Sequence, residues 1–223
     1  MPTLQRQDTV FVLDLGDTEN RFHPDWIAGV GTALDEVEQA DGPRGLVTTA
    51  TGKYFSNGLD LDWLAANGGD ADDYVISVHR LLARVLTLPM VTVAALQGHT
   101  FAAGAMLSLA HDFRVMRADR GYWCLPEADI NIPFTRGMSA LIRSRLSRGT
   151  AHEAMITARR YGGEAALQAR IVDHAVTPEA VLDTATRLAG AQADKAGPAL
   201  AVIKSRMYDH VLHTLRDTDN PLG

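Results

Sequence analysis

The chain carries two similar glycine loops, Gly52-Lys53-Tyr54-Phe55-Ser56-Asn57-Gly58-Leu59-Asp60-Leu61 and Gln97-Gly98-His99-Thr100-Phe101-Ala102-Ala103-Gly104-Ala105-Met106. Each loop follows an apolar run typical of a strand and leads into a helix, so each leaves free backbone N–H groups at a helix start. Two such donors directed at one point form an oxyanion hole, which stabilises an enolate. A carboxylate, Glu127, follows on a third loop. The pattern predicts enolate chemistry on an acyl thioester.

The composition indicates a globular chain with one sizeable core. The sequence has 223 residues, of which 46% are hydrophobic, and its formal net charge is −6. Because no block of Lys and Arg stands out, a nucleic-acid partner is not favoured. The single cysteine, Cys124, excludes an intramolecular disulfide framework and a cysteine-based zinc site. The eight histidines show no metal-binding spacing, so we expect no metal site.

The sequence shows no pattern of a targeting or membrane segment. Its first residues lack the apolar core of a signal peptide. No apolar run approaches the roughly 18 residues that a membrane-spanning helix needs. The segment Asn220-Pro221-Leu222-Gly223 does not match a peroxisomal address. We therefore expect a cytoplasmic protein with no membrane partner.

Apolar runs of strand length alternate with segments of helical periodicity along the chain. Such alternation indicates an α/β fold. Gly42-Pro43 ends the first long helical pattern and Pro89 ends the second. Strands are predicted at residues 9–15, 45–50, 91–96, 113–117, 121–124 and 171–175, and helices at 24–39, 72–88, 103–111, 135–146, 150–158, 163–169, 178–193 and 197–215.

Four segments resemble the crotonase (enoyl-CoA hydratase/isomerase) superfamily, in the order and at the spacing of that family. Within that superfamily, residues 54–61 and 117–122 look most like peroxisomal-type Δ3,Δ2-enoyl-CoA isomerases, and the first of these ranges includes one of the four segments. The resemblance spans roughly residues 10–208 and implies a crotonase-like spiral of ββα units. The four segments are residues 55–61, 89–104, 111–116 and 125–130.

The resemblance also implies a division of the chain into two parts. Residues 1–176 would form the spiral core with the acyl-CoA site. Residues 177–223 would form a C-terminal helical trimerisation region that packs on the core and on neighbouring subunits. We therefore expect a homotrimer or a dimer of trimers. An apolar stripe on the last predicted helix favours this arrangement, and its members are Leu200, Ile203, Met207, Val211 and Leu215.

The resemblance places the two oxyanion-hole donors on the backbone N–H groups of Leu59 and Ala103. Gly58 lets the first loop bend so that the Leu59 N–H turns inward. A helix dipole behind Ala103 favours negative charge, and Gly104 is the neighbour that could take its place. The alternatives are an ordinary strand-to-helix turn at Gly58 and residues at 102–105 that are small only for helix packing.

Glu127 occupies the position of the catalytic base in the resemblance. Apolar neighbours such as Trp123, Leu125 and Ile130 should desolvate its carboxylate and raise its pKa towards neutrality. A base that both takes and returns a proton works best with a pKa near the operating pH. The alternative is a loop glutamate that faces solvent.

Met106 marks a departure from the hydratases of the superfamily. They carry a second glutamate at the matching helix position, where it helps to activate water. Met106 would instead present an apolar wall to the acyl chain, or fill the core. Asp60 matches a common loop aspartate, whereas Asp62 and Asp129 are left as possible second acid–base groups.

The other candidate residues lie on the two loops and on the last helix. Lys204 resembles a lysine that meets the CoA phosphates in several relatives, with a solvated helix lysine as the alternative. His99 and His111 are expected to pack or cap locally. The full set of substrate-binding candidates is Ser56, Asn57, Gly58, Asp60, Gly104, Met106 and Lys204.

The resemblance thus implies an acyl-CoA enzyme, most closely a Δ3,Δ2-enoyl-CoA isomerase. Glu127 would move a proton from C2 to C4 of the substrate through a dienolate held by Leu59 and Ala103. No cofactor is expected, because CoA is part of the substrate. The alternatives are another crotonase-fold reaction, such as acyl-CoA hydrolysis or weak enoyl-CoA hydration, and a catalytically silent scaffold of the same fold.

Overall fold

A computed structural model of the chain describes residues 1–222. Every predicted strand is present, with shifted ends in most cases. Three further short strands, the first, fourth and sixth, did not stand out in the sequence. In chain order the strands of the described residues are β1 (Thr3–Gln7), β2 (Val10–Asp14), β3 (Gly45–Thr49), β4 (Tyr54–Ser56), β5 (Val91–Leu96), β6 (His99–Phe101), β7 (Phe113–Arg117), β8 (Trp123–Cys124) and β9 (His174–Val176).

The helices also follow the predicted order, with two differences. A short helix, Leu61–Ala66, follows the first glycine loop outside the predicted helix ranges. The helix predicted at 197–215 is two helices, because the helical conformation is interrupted at Tyr208. In order they are α1 (Pro24–Gln39), α2 (Leu61–Ala66), α3 (Ala71–Leu86), α4 (Ala103–Ala110), α5 (Arg136–Arg145), α6 (Arg148–Thr157), α7 (Gly163–Gln168), α8 (Ala180–Gly190), α9 (Pro198–Met207) and α10 (Asp209–Leu215).

The strands form two sheets that the chain visits alternately. The larger sheet has the order β1-β2-β3-β5-β7-β9, and the smaller has the order β4-β6-β8. All neighbours pair in parallel except β1 and β2, which are antiparallel. The pairs β3 and β4, β5 and β6, and β7 and β8 each give one strand to each sheet before the next helix. This is the ββα spiral that the resemblance predicted.

Both faces of the larger sheet are covered. Strands β3 and β5 are buried along their whole length, as expected for parallel strands with helices on both sides. Helix α8 packs on one face, and Gly45 of β3 lies so close to it that a Cβ there would be 2.9 Å from the carbonyl oxygen of Ala189. The main core lies on the other face, beneath α1, α3 and α4.

The C-terminal helices do not form one continuous apolar stripe. Val211 and Leu215 of α10 are buried, whereas Ile203 and Met207 of α9 are exposed. Helix α10 packs closely on α5, where a Cβ on Gly137 would lie 2.8 Å from the Leu215 side chain. The division of the chain at residues 176 and 177 stays a prediction. None of the helices in residues 1–222 combines the length and the apolarity needed to cross a bilayer.

Candidate active site

The two glycine loops meet at Gly58. This residue has a φ of +84°, a conformation that an L side chain rarely adopts. A Cβ at this position would lie 2.8 Å from the backbone nitrogen of Ala103 and 2.9 Å from the Cβ of Ala102. Only a glycine therefore lets the turn after β4 approach the start of α4 this closely.

The backbone N–H groups expected to form an oxyanion hole are free at this meeting point. Neither Leu59 nor Ala103 donates a backbone hydrogen bond to any residue in the range 1–222. Their neighbours are engaged: the N–H of Gly58 donates to Ser56 Oγ at 3.1 Å, and that of Asp60 donates to the Tyr74 hydroxyl at 2.9 Å. In α4 the N–H of Met106 donates to the carbonyl oxygen of Ala102. Two unused donors thus lie on touching loops.

Ala102 adopts a strained conformation immediately before the second donor. Its φ is +50° and its ψ is −126°, which is unusual for any residue with a Cβ. The strain is held by strand pairing, because the Ala102 N–H donates to the carbonyl oxygen of Cys124 at 3.1 Å. Such strain concentrates at functional sites. Here it turns the chain from β6 sharply into α4, with Ala103 at the first helical position.

The segment before α1 braces the first loop, and the sequence did not single it out. The Asn20 side chain donates to the carbonyl oxygens of Tyr54 and Phe55. Ser56 Oγ donates to the carbonyl oxygen of Asn20 at 2.8 Å. The N–H of Phe22 donates to the carbonyl oxygen of Gly58. The possible sequence signal was Asn20 itself, since asparagine tolerates the positive φ it adopts here.

Glu127 lies in a short 3-10 turn, Pro126–Ala128, and its side chain is almost fully buried. Its Oε2 atom has no hydrogen-bond partner in the described part of the chain. Desolvation raises the pKa of this carboxyl from its ordinary value of 4.5 to about 7. A carboxylate with this pKa can both take and return a proton near neutral pH.

One cavity brings these groups together. Its volume is about 410 Å³, and Leu59, Ala103 and Glu127 all line it. Met106, which is 1% exposed, forms part of its wall. Among the described residues that line the cavity, two have carboxylate side chains. That of Asp62 is 86% exposed and paired with Arg21, whereas that of Glu127 is buried. The remaining lining is mostly apolar and includes Leu64, Val75, Phe101, Ile132, Pro133, Phe134 and Met138.

Comparison with known proteins agrees with this geometry. A profile of the enoyl-CoA hydratase/isomerase family matches residues 5–219. The chain belongs to this family. Enoyl-CoA delta isomerase 3 of Arabidopsis thaliana is 37% identical, over 100% of this chain and 98% of that protein. The peroxisomal enoyl-CoA delta isomerase 2 of the same plant is 39% identical, over 93% of this chain and 92% of its own length.

Solved structures of family members share the fold. An apo structure of an enoyl-CoA isomerase from Mycobacterium tuberculosis has a TM-score of 0.90 at 28% identity, covering 99% of this chain and 96% of that one. Human mitochondrial delta3-delta2-enoyl-CoA isomerase has a TM-score of 0.89 at 22% identity, covering 99% of this chain and 90% of that one. At that identity the second likeness concerns the fold alone.

Of the other candidate residues on the two loops, one lines the cavity and three hold the loops in place. Asn57 lines the cavity. Ser56 is fully buried beneath it, with its hydroxyl engaged as described above. Gly104 packs against β4, where a Cβ would lie 2.6 Å from the carbonyl oxygen of Ser56. Asp60 caps α2 by accepting a hydrogen bond from the N–H of Trp63. Ser56, Gly104 and Asp60 therefore build the loop rather than line the cavity.

Lys204 does not fit the role expected for it. The residue is 4% exposed, and its Nζ donates to Asp112 Oδ2 at 2.6 Å and to the carbonyl oxygen of Met90 at 2.7 Å. This buried ion pair joins α9 to Asp112, which precedes β7, and engages the Lys204 ammonium group, which is therefore not free to meet CoA phosphates. The pairing could not be read from the sequence, because 92 residues separate Lys204 from Asp112.

The remaining acids and histidines have local partners or positions away from the cavity. Asp129 is exposed and does not line it. His111 ends α4 and bonds to Thr48 Oγ1 at 2.8 Å, and burial lowers its pKa to about 4. His99 packs between the rings of Phe101 and Tyr122. Among residues 1–222, no group of three His, Cys, Asp or Glu side chains converges as metal ligands do.

Proposed function

We propose that the protein is a Δ3,Δ2-enoyl-CoA isomerase. The observation that carries the proposal is the combination of one buried carboxylate with two unused backbone donors in a single apolar cavity. The names of the plant relatives support the same reaction. A thioester oxygen placed between Leu59 N–H and Ala103 N–H brings C2 of the acyl chain towards the Glu127 carboxylate.

The reaction needs one proton carrier and one anion site. Glu127 takes the C2 proton, and the electrons of the C2–H bond form a C1–C2 double bond while negative charge develops on the thioester oxygen. The two N–H donors stabilise this dienolate. Glu127 then returns the proton to C4. The former C3–C4 double-bond pair forms the new C4–H bond, and the double bond moves to C2–C3, in conjugation with the thioester.

The cavity favours isomerisation over hydration. Addition of water benefits from a second acid–base group that positions the water, and Met106 offers a thioether in its place. Asp62 is unsuited to this work, because its exposed carboxylate is paired with Arg21 at the cavity mouth. CoA enters as part of the substrate, and no further cofactor takes part in the proposal.

The oligomeric state and the compartment belong to the proposal as well. Helix α9 exposes Val202, Ile203 and Met207, an apolar surface suited to packing against another copy of the chain. We therefore keep the homotrimer, or a dimer of trimers, as the expected assembly. A cytoplasmic location stays a prediction, and the plant enoyl-CoA delta isomerase 2 named above is called peroxisomal.

The proposal is tested by incubating the protein with a 3-enoyl-CoA and following the absorbance of the conjugated thioester. We expect conjugated 2-enoyl-CoA to accumulate, with little 3-hydroxyacyl-CoA by mass spectrometry. Release of free CoA would identify a hydrolase, and rapid hydration of 2-enoyl-CoA would identify a hydratase. Absence of any product, with acyl-CoA binding retained, would identify a silent scaffold.

A further inference from the structure

Three exposed apolar side chains lie at the opening of the active-site cavity. Leu61 is 40% exposed, Ile130 is 47% exposed and Leu222 is 53% exposed, and all three line the cavity. By contrast, Met106 and Met138 in the same lining are 1% and 4% exposed. The cavity therefore has a packed inner part and an apolar rim that is still open to water.

The rim is built from three separate parts of the chain. Leu61 begins α2, a short helix without any buried residue. Ile130 follows the 3-10 turn that carries Glu127. Leu222 comes after α10, at the end of a segment whose residues 216–220 are all exposed. Pro221, directly before Leu222, is buried.

The chemistry of the rim points to a hydrocarbon occupant. Exposed large apolar side chains that cluster at a cavity mark a binding surface for apolar groups. Among the lining residues, Asn57 offers an amide, and Arg21 and Asp62 are paired with each other at the cavity mouth. The side chains of Leu61, Ile130 and Leu222 offer no hydrogen-bonding group, so they suit the methylenes of an acyl chain.

We propose that Leu61, Ile130 and Leu222 form an apolar rim that binds the distal methylenes of the acyl chain and makes the enzyme selective for long-chain 3-enoyl-CoA. The inference rests on the isomerase function proposed above and names the substrate class of that site. A short chain ends within the packed inner part and leaves the rim exposed. A longer chain covers it, and each methylene buried in this way is worth roughly fourfold in affinity.

The test compares acyl-chain lengths in rim variants of the whole protein. Leu61→Ala, Ile130→Ala, Leu222→Ala and the Leu61→Ala/Leu222→Ala double variant are assayed with 3-hexenoyl-CoA and with 3-hexadecenoyl-CoA. Leu182→Ala is the matched control, because Leu182 on α8 is 39% exposed and lies outside the cavity lining. We expect the double variant to lose about tenfold in kcat/KM for the long substrate and less than twofold for the short one.

Other outcomes would overturn the proposal in different ways. An equal loss for both chain lengths would mean that the rim contacts the CoA part of the substrate, and no loss for either would mean that it contacts neither. Dissociation constants of saturated hexanoyl-CoA and palmitoyl-CoA for the same variants give a second reading that needs no turnover. The parent protein could lack isomerase activity while the rim variants bind palmitoyl-CoA more weakly and hexanoyl-CoA as the parent does. That result would uphold the rim and refute the proposed function instead.

Discussion

At the scale of single residues, the burial of Glu127 has a clear energetic cost. Its carboxylate lies in an apolar cavity, and its Oε2 has no hydrogen-bond partner within residues 1–222. A structural role would not require this arrangement, because a neutral side chain of similar size would be cheaper to bury. Proteins commonly accept such costs where catalysis needs the group.

The first prediction follows from this cost. The pKa of Glu127 is about 7 in the folded protein, above its ordinary 4.5. The ionised carboxylate therefore destabilises the fold above pH 7. This destabilisation is lost as the pH falls from 7 to 4.5 and the carboxylate is protonated. Glu127→Gln should therefore raise the free energy of unfolding at pH 8 by up to roughly 3 kcal/mol, and much less at pH 5. Urea unfolding at both pH values measures this.

The control for this prediction is Glu164→Gln, since Glu164 is an exposed glutamate in the first turn of α7. That variant should change stability little at either pH. If Glu127→Gln were no more stable than the parent at pH 8, the carboxylate would not be desolvated in the folded protein, and its proposed pKa would be wrong.

A second prediction concerns Met106, which lies in the cavity wall and whose thioether side chain cannot act as an acid or a base. Met106→Glu places a second carboxylate in the cavity and should introduce detectable hydration of 2-enoyl-CoA, at some loss of stability because two buried carboxylates repel. Met106→Gln, of the same size and without charge, is the control. A folded Met106→Glu protein with no hydration above the control would show that a missing carboxylate does not separate the two reactions here.

The residues of the site were only partly predictable from the sequence. Leu59, Ala103 and Glu127 could be found, because each lies in a local motif of a known family. The bracing role of Asn20 and the buried pairing of Lys204 could not, since both depend on segments that meet only in the fold. Local motifs reveal what a residue can do, and the fold determines which partners it has.

At the scale of elements, the contact between the two glycine loops is the feature on which the proposed oxyanion hole depends. Gly58→Ala should lower turnover by about 10²–10³-fold, because its Cβ would push against the backbone nitrogen of Ala103 and separate the two donors. Gly149→Ala on α6 is the control, since a Cβ there meets nothing within 4 Å. Steady-state kinetics and binding of a saturated acyl-CoA measure the effect. Normal turnover of Gly58→Ala would remove this loop from the oxyanion hole.

The elements that the sequence predicted best were those with a clear stop signal after them. The bounds of α1, β5 and β7 agree with the predicted ranges, because each has a clear apolar pattern and a strong stop signal. Strands β4 and β6 have three residues each and lie inside the glycine loops, so no periodicity could show them. Strand β1 is mostly exposed and lacks an apolar face.

At the scale of the whole molecule, the spiral became predictable through the family resemblance and not through periodicity. The order of the parallel strands in the sheet depends on pairings between distant parts of the chain. In the pairing of β7 with β9, the paired residues are about 60 positions apart. The break at Tyr208 also needed the structure, because α10 turns to bury Val211 and Leu215 while α9 keeps its own apolar surface exposed.

The exposed surface of α9 leads to the prediction about assembly. We expect light scattering at micromolar concentration to report a trimer or a hexamer. The Ile203→Asp/Met207→Asp double variant should dissociate it, because these side chains are 54% and 65% exposed in the single chain and would be buried between copies. Leu182→Asp on α8 is the control. A monomeric parent protein would contradict the prediction directly.

In the proposed reaction, Glu127 is the one base that carries the proton between C2 and C4. The most direct test is the rate at which Glu127→Gln converts a 3-enoyl-CoA to the conjugated thioester, alongside its dissociation constant for a saturated acyl-CoA. We predict a fall in kcat of about 10²–10⁴-fold, with binding of the saturated ligand changed less than about threefold. A variant that turns over within threefold of the parent would contradict the account, because the carboxylate would then not move the proton.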